Sequence, residues 1–377
     1  MKILFINGTN NIGGGELSLL SIANYYKQEC SVVSFDNGDY TDQLDKYAIN
    51  SIILKNAQDL LNIKRENGLF SLFLKLKTLL LTILELRSLY KNYDVIYCNS
   101  QKAILLGLLA GIGIKKPFII HVRDMMDNPN ISNLQKKIFA FLVNLKKPIV
   151  IANSKATKNA LINIGIKQKI EVVYNGITIS QKNYTKDNKK FTIAMFSRIS
   201  HWKGQKYFIE AIKKIQENMN CKDIEFWIVG DAVMGSEEEK YKKKILKMIK
   251  EYNLEDKIKL FGFVENPIDY MQEIDVLLLP SIYPEPFGRV VVEAMLLKKV
   301  VIATNQGGVR EIIENNVSGI LVDTENLAQN LYENIKKVYE NRDFYNKLSI
   351  NGYKRAIENF TEEKMLKNID NIIKGLQ

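Results

Sequence analysis

Twelve short apolar runs, three to six residues long, recur along this chain with helical stretches between most of them. They are Ile3–Ile6, Cys30–Ser34, Val95–Cys98, Phe118–His121, Pro148–Ala152 and Glu171–Val173, then Phe191–Phe196, Glu225–Val229, Ile258–Leu260, Asp275–Leu279, Val300–Ala303 and Gly319–Val322. Most are continuous rather than alternating, and many are rich in Val and Ile. A strand open to water on one face alternates; a parallel strand covered by helices on both faces does not. The pattern predicts an α/β chain made of two doubly wound parallel-sheet domains. It lapses at the polar stretch QKNYTKDNKK (181–190), the natural hinge, and then restarts. The domain boundary is expected near residues 176–190.

Length agrees, since 377 residues suffice for more than one core. Cys30, Cys98 and Cys221 are far apart and have no CxxC spacing, which suits a reducing cytosol better than a disulfide framework or a zinc site. Met1–Ile6 is too short an apolar stretch for a signal peptide and reads as the first strand. The most lipid-like segment, Leu69–Leu86, is interrupted by Lys75, Lys77 and Glu85, so no membrane-spanning helix is expected. Charge is uneven. Residues 1–180 hold 22 Lys and Arg against 13 Asp and Glu, a net of +9 of the chain's +11.

Four stretches carry candidate chemistry. After the first apolar run comes GTNNIGGGELSLL, with Gly13, Gly14 and Gly15 before a helical pattern. Glycines at such a turn let backbone N–H groups approach a phosphate, although a tight turn without ligand fits equally well. SRISHWKGQKYFIEA places Arg198 and Lys203 after a strand, where open α/β sheets bind ligands; fork and point charge suit a diphosphate. PSIYPEPFGRVVVEAM (280–295) is the most specific. Glu285 precedes a helix opened by Gly288, and Glu293 lies about two turns farther along. Carboxylates that far apart suit two anchors on one elongated ligand, with the N–H groups of Phe287 to Arg289 at its phosphate end. TNQGGVREIIENNVSGILV (304–322) puts Gly307 and Gly308 after a strand, as a ligand-facing turn or a plain connection.

Together with HVRD (121–124), ANSKAT (152–157), VVYNGI (172–177), GFV (262–264) and DVLLLPS (275–281), these stretches resemble the retaining family 4 (group 1) glycosyltransferases. The resemblance runs in order along nearly the whole chain. It implies the GT-B fold, with the two domains facing a cleft. An acceptor-side domain would span 1–178, with 361–377 crossing back to it, and a nucleotide-sugar-binding domain 179–360. His121 and Glu285 are the implied catalytic residues. Arg198, Lys203, Gly288, Gly14 and Gly15 would bind the donor diphosphate. Glu285, Phe287 and Glu293 would bind the donor sugar and ribose, and Gly262, Phe263 and Val264 the base. A structural imidazole is the competing reading of His121.

No Asp-x-Asp and no cluster with metal-ligand spacing occurs, so no metal and no cofactor are expected; fixed cations and helix ends would balance the leaving group's charge. The expected partners are a UDP- or GDP-sugar and a glycan or lipid-linked acceptor. Lys64, Arg65 and Arg87, and Lys136, Lys137, Lys146 and Lys147, stand among large apolar residues. They are read equally well as solvated crossover helices or as a surface for the inner face of an anionic membrane. Nucleic acid ranks last, because no aromatic-interleaved basic motif is present. The alternatives left open are a non-catalytic sugar-nucleotide-binding membrane partner and another GT-B enzyme, such as a phosphorylase or epimerase.

Overall fold

The computed structural model describes residues 1–57, 69–179, 190–233 and 237–376, with the side chains of 69–75 outside that description. Two all-parallel sheets form two compact units, Met1–Gly176 with Glu362–Gln377 and Ile177–Thr361. In the first unit β1 (Ile3–Ile6) pairs with β2 (Cys30–Ser34) on one side and β4 (Val95–Cys98) on the other. Adding β3 (Ser51–Ile53), β5 (Phe118–Val122), β6 (Ile149–Ala152) and β7 (Ile170–Val172) gives the order β3-β2-β1-β4-β5-β6-β7.

Alternation along each strand sorts its side chains between two helical layers. Leu4, Ile6, Ile96, Cys98, Ile120 and Val122 pack with Leu86 of α3 (Leu69–Leu89), Leu108 of α4 (Gln101–Ala110), Phe139 and Val143 of α5 (Asn133–Lys146) and Leu161 of α6 (Lys155–Asn163). Ile3, Phe5, Val95, Tyr97 and Ile119 face the other way. They meet Leu19 and Ile22 of α1 (Gly14–Tyr25), Leu44 of α2 (Asp39–Lys46) and Met365, Ile369 and Ile373 of α14 (Glu362–Lys374). The last helix is therefore part of the first unit's core. Tyr26 Oη also donates to Asp370 Oδ1 at 2.8 Å.

The second sheet has the order β10-β9-β8-β11-β12-β13, from β8 (Phe191–Phe196), β9 (Ile224–Val229), β10 (Ile258–Gly262), β11 (Val276–Leu279), β12 (Val300–Thr304) and β13 (Ile320–Val322). One face is covered by α7 (Gln205–Asn218), α8 (Glu237–Glu251), α12 (Leu327–Glu340) and α13 (Arg342–Asn359). The short helices α9 (Pro267–Glu273), α10 (Arg289–Leu296) and α11 (Val309–Ile312) fill the remaining crossovers.

The expectation of two doubly wound parallel α/β domains holds, and each of the twelve expected strands is present with ends within two residues. β3 was not expected. It is three residues long, lies at the sheet edge and is only half-buried, and its apolar signal is just the pair Ile52-Ile53. Residues 181–189 of the expected hinge, and Lys64 and Arg65, lie outside the described residues. No described helix is long and apolar enough to cross a membrane.

Because Ile369 is fully buried against the first sheet, Ile369→Ala should cost about 2–5 kcal/mol, as any large-to-small core change does. Urea unfolding followed by far-UV circular dichroism measures it; a loss below about 0.5 kcal/mol would show that α14 is not core.

Candidate active site

An open parallel sheet collects its polar loops at the carboxyl ends of its strands, most of all where neighbouring strands lead off in opposite directions. In the second unit that place lies between β8 and β11. β8 leads into a short turn, His201–Lys203, and β11 into the loop Pro280–Gly288. Lys203 Nζ stands 2.7 Å from Glu285 Oε1, and the two side chains are 14% and 9% exposed. Ser281 Oγ donates to the same oxygen at 2.5 Å, and Nζ lies 4.0 Å from the centre of the Trp202 ring. A carboxylate this enclosed is held by charge and hydrogen bond together.

Glycines bring the loops this close. Gly204, at φ +81°, leaves no room for a side chain, because a Cβ there would sit 2.0 Å from the Pro280 carbonyl oxygen. Gly307 lies against the Glu285 backbone and Gly308 against Pro286 and Phe287, where added Cβ atoms would come within 2.3 and 2.4 Å of carbonyl oxygens. The Gly308 N–H donates to the Glu285 carbonyl at 2.8 Å. The Gly307-Gly308 pair is thus explained by loop packing beneath Glu285.

The other expected residues of this unit fall around the same edge. Arg198 follows β8 and is exposed, and its carbonyl accepts from Gln205 Nε2 at 2.9 Å. Gly288 caps α10 at φ +104°. Glu293, one turn into that helix, accepts from Arg289 Nε at 2.7 Å. Phe287 is 2% exposed with its ring against Phe360, centroids 5.8 Å apart, so its ring is part of the core. Gly262 (φ +67°) ends β10 beside Gly230, whose N–H donates to the Gly262 carbonyl at 2.8 Å. Phe263 is 77% exposed beyond it and Val264 half-buried. Arg198, Lys203, Glu285 and Gly288 belong to loops at one sheet edge, and Lys203 and Glu285 touch.

The first unit gathers a second constellation at the ends of β1, β4 and β5. His121 is fully buried, with Nδ1 2.6 Å from Tyr97 Oη and 3.1 Å from Arg123 Nη2. Arg123 also donates through Nε to Asn99 Oδ1 at 2.8 Å and through Nη1 to Asn175 Oδ1. Gly15 is the close neighbour of this arginine. Its carbonyl accepts from Asn99 Nδ2, and a Cβ on it would lie 3.3 Å from Arg123 Cδ. Gly14 and Gly15 open α1, and Glu16 in that first turn accepts from the Gly13 N–H and from Thr9 Oγ1. The turn carries its own anion. Burial, then the neighbouring Arg123 charge, holds the His121 imidazole well below its ordinary pKa. Burial and Glu16 push the Asp124 carboxyl up.

Tyr97, Asn99, Arg123, Asn175 and Ser281 were not singled out as site residues from the sequence. Arg123 was legible in principle, since it lies two residues from His121 and therefore on the same side of the chain. The asparagines come from separate strand ends and carry no local signal. Among the described residues no three His, Cys, Asp or Glu side chains gather as a metal site requires.

The second unit and the first match separate family models. "Glycosyl transferases group 1" matches residues 177–355, and "Glycosyltransferase Family 4" matches 12–181. A Campylobacter jejuni relative, N-acetylgalactosamine-N,N'-diacetylbacillosaminyl-diphospho-undecaprenol 4-alpha-N-acetylgalactosaminyltransferase, is 28% identical, covering 71% of this chain and 73% of that one. The Staphylococcus aureus capsular polysaccharide biosynthesis glycosyltransferase CapH is 25% identical over 74% and 75%. The crystal structure of Anabaena HepE in complex with UDP and glucose superposes with a TM-score of 0.86 at 28% identity, covering 99% of both chains.

The Lys203–Glu285 pair separates stability from binding. Lys203→Ala strands a buried carboxylate and should cost about 3 kcal/mol, whereas Arg198→Ala, at an exposed position, should cost less than about 0.5 kcal/mol. Equal midpoints for the two variants in urea would mean that the pair is not formed. Fold, loop arrangement and both family models agree: the chain belongs to the group 1, family 4 glycosyltransferases and has their GT-B fold.

Proposed function

We propose that this glycosyltransferase moves a sugar from a nucleoside-diphosphate sugar, UDP- or GDP-linked, to a lipid-linked or polysaccharide acceptor, with retention at the anomeric carbon. The observation that carries the reading is the edge of the second sheet. There Arg198, the enclosed Lys203–Glu285 pair and the Gly288-capped start of α10 converge at the β8/β11 switch. Arg198, Lys203 and the helix N-terminus would hold the diphosphate, Glu285 the donor sugar and Glu293 the ribose. The exposed ring of Phe263 offers the base a surface to stack on. The acceptor class is supported by the diphospho-undecaprenol and capsule relatives.

In the step we assign, the bond from the anomeric carbon to the diphosphate oxygen breaks, and its electron pair leaves with the diphosphate. The acceptor hydroxyl oxygen bonds to that carbon from the same face, and its proton passes to the departing phosphate. This front-face route suits a site whose best-placed carboxylate oxygen, Glu285 Oε1, already accepts from Lys203 and Ser281. Fixed donors stabilise the leaving charge without a metal.

Arg198→Ala should weaken nucleoside diphosphate binding by about 10- to 100-fold, the loss of a charge-assisted hydrogen bond, with the fold unchanged. Calorimetry with UDP and GDP measures it, and wild-type affinity would remove Arg198 from the phosphate site. Transfer should persist in EDTA; complete loss restored by Mg²⁺ or Mn²⁺ would overturn the metal-free step.

Work at the surface of an anionic membrane is supported by two exposed stripes of the first unit. On α5 they are Leu134, Ile138, Phe141 and Leu145, at helical spacing, and on α3 Leu76, Leu80 and Leu84. Of the four lysines around α5, two are used inward. Lys136 Nζ donates to the Asp127 carbonyl and Lys146 Nζ to that of Ile114, with Lys146 over the Phe118 ring. Lys137 and Lys147 remain exposed, as does Lys77. Co-sedimentation with anionic vesicles should therefore fall in Phe141→Glu and in Lys137→Glu with Lys147→Glu, and should weaken with salt because exposed charges are screened beyond about 8 Å. Equal recovery on neutral and anionic lipid would sink this location.

A further inference from the structure

We propose that Arg123, with Tyr97, locks His121 in the tautomer that carries its proton on Nε2, so that the imidazole serves a bound ligand only as a hydrogen-bond donor, to a hydroxyl or carbonyl oxygen. The argument is one of donor inventory. A guanidinium has N–H donors and no acceptor. Arg123 Nη2 lies 3.1 Å from His121 Nδ1, so Nδ1 must present its lone pair. A proton on Nδ1 would set N–H against N–H. Tyr97 Oη, 2.6 Å from the same nitrogen, is buried and its phenol is pushed well above its ordinary pKa, so it keeps a proton that it can donate to the same lone pair. The arginine cannot swing away easily: Asn99 and Asn175 hold its other nitrogens, and Gly15 packs on its stem.

With Nδ1 facing the donor-only guanidinium, the ring proton belongs to Nε2. That atom is buried and has no partner among the described residues, although the residue is wholly enclosed. A histidine kept only for the core would have both nitrogens bonded, because an unpaired buried donor costs about 1–3 kcal/mol. Here Nδ1 has two polar neighbours within hydrogen-bond distance and Nε2 has none among the described residues. The titratable and charged groups around the pair are Tyr97 on β4, Arg123 itself, Tyr40 and Glu16 on the α1/α2 side, and Asp124 beyond the strand. Tyr40 feels the charges of Glu16 and Arg123, and β6 offers only Ile151 in register with His121. None of them bonds Nε2. Arg123 is on this account a positioning residue. The ring's use toward ligand rests on the transfer reading above; the tautomer does not.

The chain has two histidines, His121 and His201, which makes the test direct. Protein labelled with ¹⁵N-histidine is observed without sugar nucleotide, and His201→Gln assigns the two imidazoles. The expected spectrum shows His121 with bare Nδ1 and protonated Nε2, unchanged from about pH 5 to 8, the range where an ordinary histidine titrates. Arg123→Lys keeps a donor-only neighbour and should keep that spectrum. Arg123→Gln offers a carbonyl and should give mixed tautomers or restore titration. In transfer, Arg123→Gln should lose at least about tenfold in kcat/KM, one hydrogen bond's worth, and Arg123→Lys less. A protonated Nδ1 in the wild type, titration within the window, or an Arg123→Gln spectrum identical to wild type would overturn the proposal. A chain that shows the locked tautomer but binds no sugar nucleotide would refute the transfer reading and leave the lock standing.

Discussion

Each sheet of this protein is parallel and packed against helices, so its central strands are buried along their length and meet ligand only at their ends. Everything else follows from that constraint. The residues that hold the fold together are the apolar strand interiors, and the polar residues gathered as candidate sites lie at or just beyond the strands' carboxyl ends. In the second unit the edge is drawn tight by backbone. Gly204 against Pro280, and Gly307 and Gly308 against Glu285 to Phe287, let three loops touch where a side chain would hold them apart. The enclosed Lys203–Glu285 pair exists because those loops meet.

The same constraint explains what could be read in advance. Continuous runs such as FTIAMF and VVIAT announce doubly buried strands whatever their neighbours are, and they lie where the pattern put them. β3 escaped because an edge strand of three residues, with only Ile52-Ile53 as its apolar signal, is too short to stand out. The placement of Glu362–Lys374 on the first sheet has no local signature either. Its buried stripe Met365, Ile369 and Ile373 would suit any sheet face, and only the tertiary structure selects one.

Site residues were legible when their own loop carried several constraints at once. Glu285 sits between prolines, before a glycine-capped helix, and its partner Ser281 belongs to the same string, while Lys203 reaches it from the loop after β8. Gly307 and Gly308 were legible as glycines but not as to cause, since the atoms that exclude a side chain belong to another loop. The network around His121 was the least legible. Tyr97 and Asn99 come from the end of β4 and Asn175 from beyond β7, and only the tertiary structure brings them to His121 and Arg123. Charge reading had a similar limit. Four lysines near α5 look alike in sequence, yet Lys136 and Lys146 cap carbonyls while Lys137 and Lys147 face solvent.

The central claim is that the loops around Lys203 and Glu285 recognise the nucleoside diphosphate of a sugar donor. The most direct test is a thermal-shift series with UDP-, GDP- and ADP-sugars on the wild type and on Arg198→Ala. At a hundredfold excess over Kd, the true donor should raise Tm by about 5 °C or more, and the variant should lose most of that shift at the same concentration. A chain whose Tm responds to no sugar nucleotide, or responds equally with and without Arg198, would contradict the account.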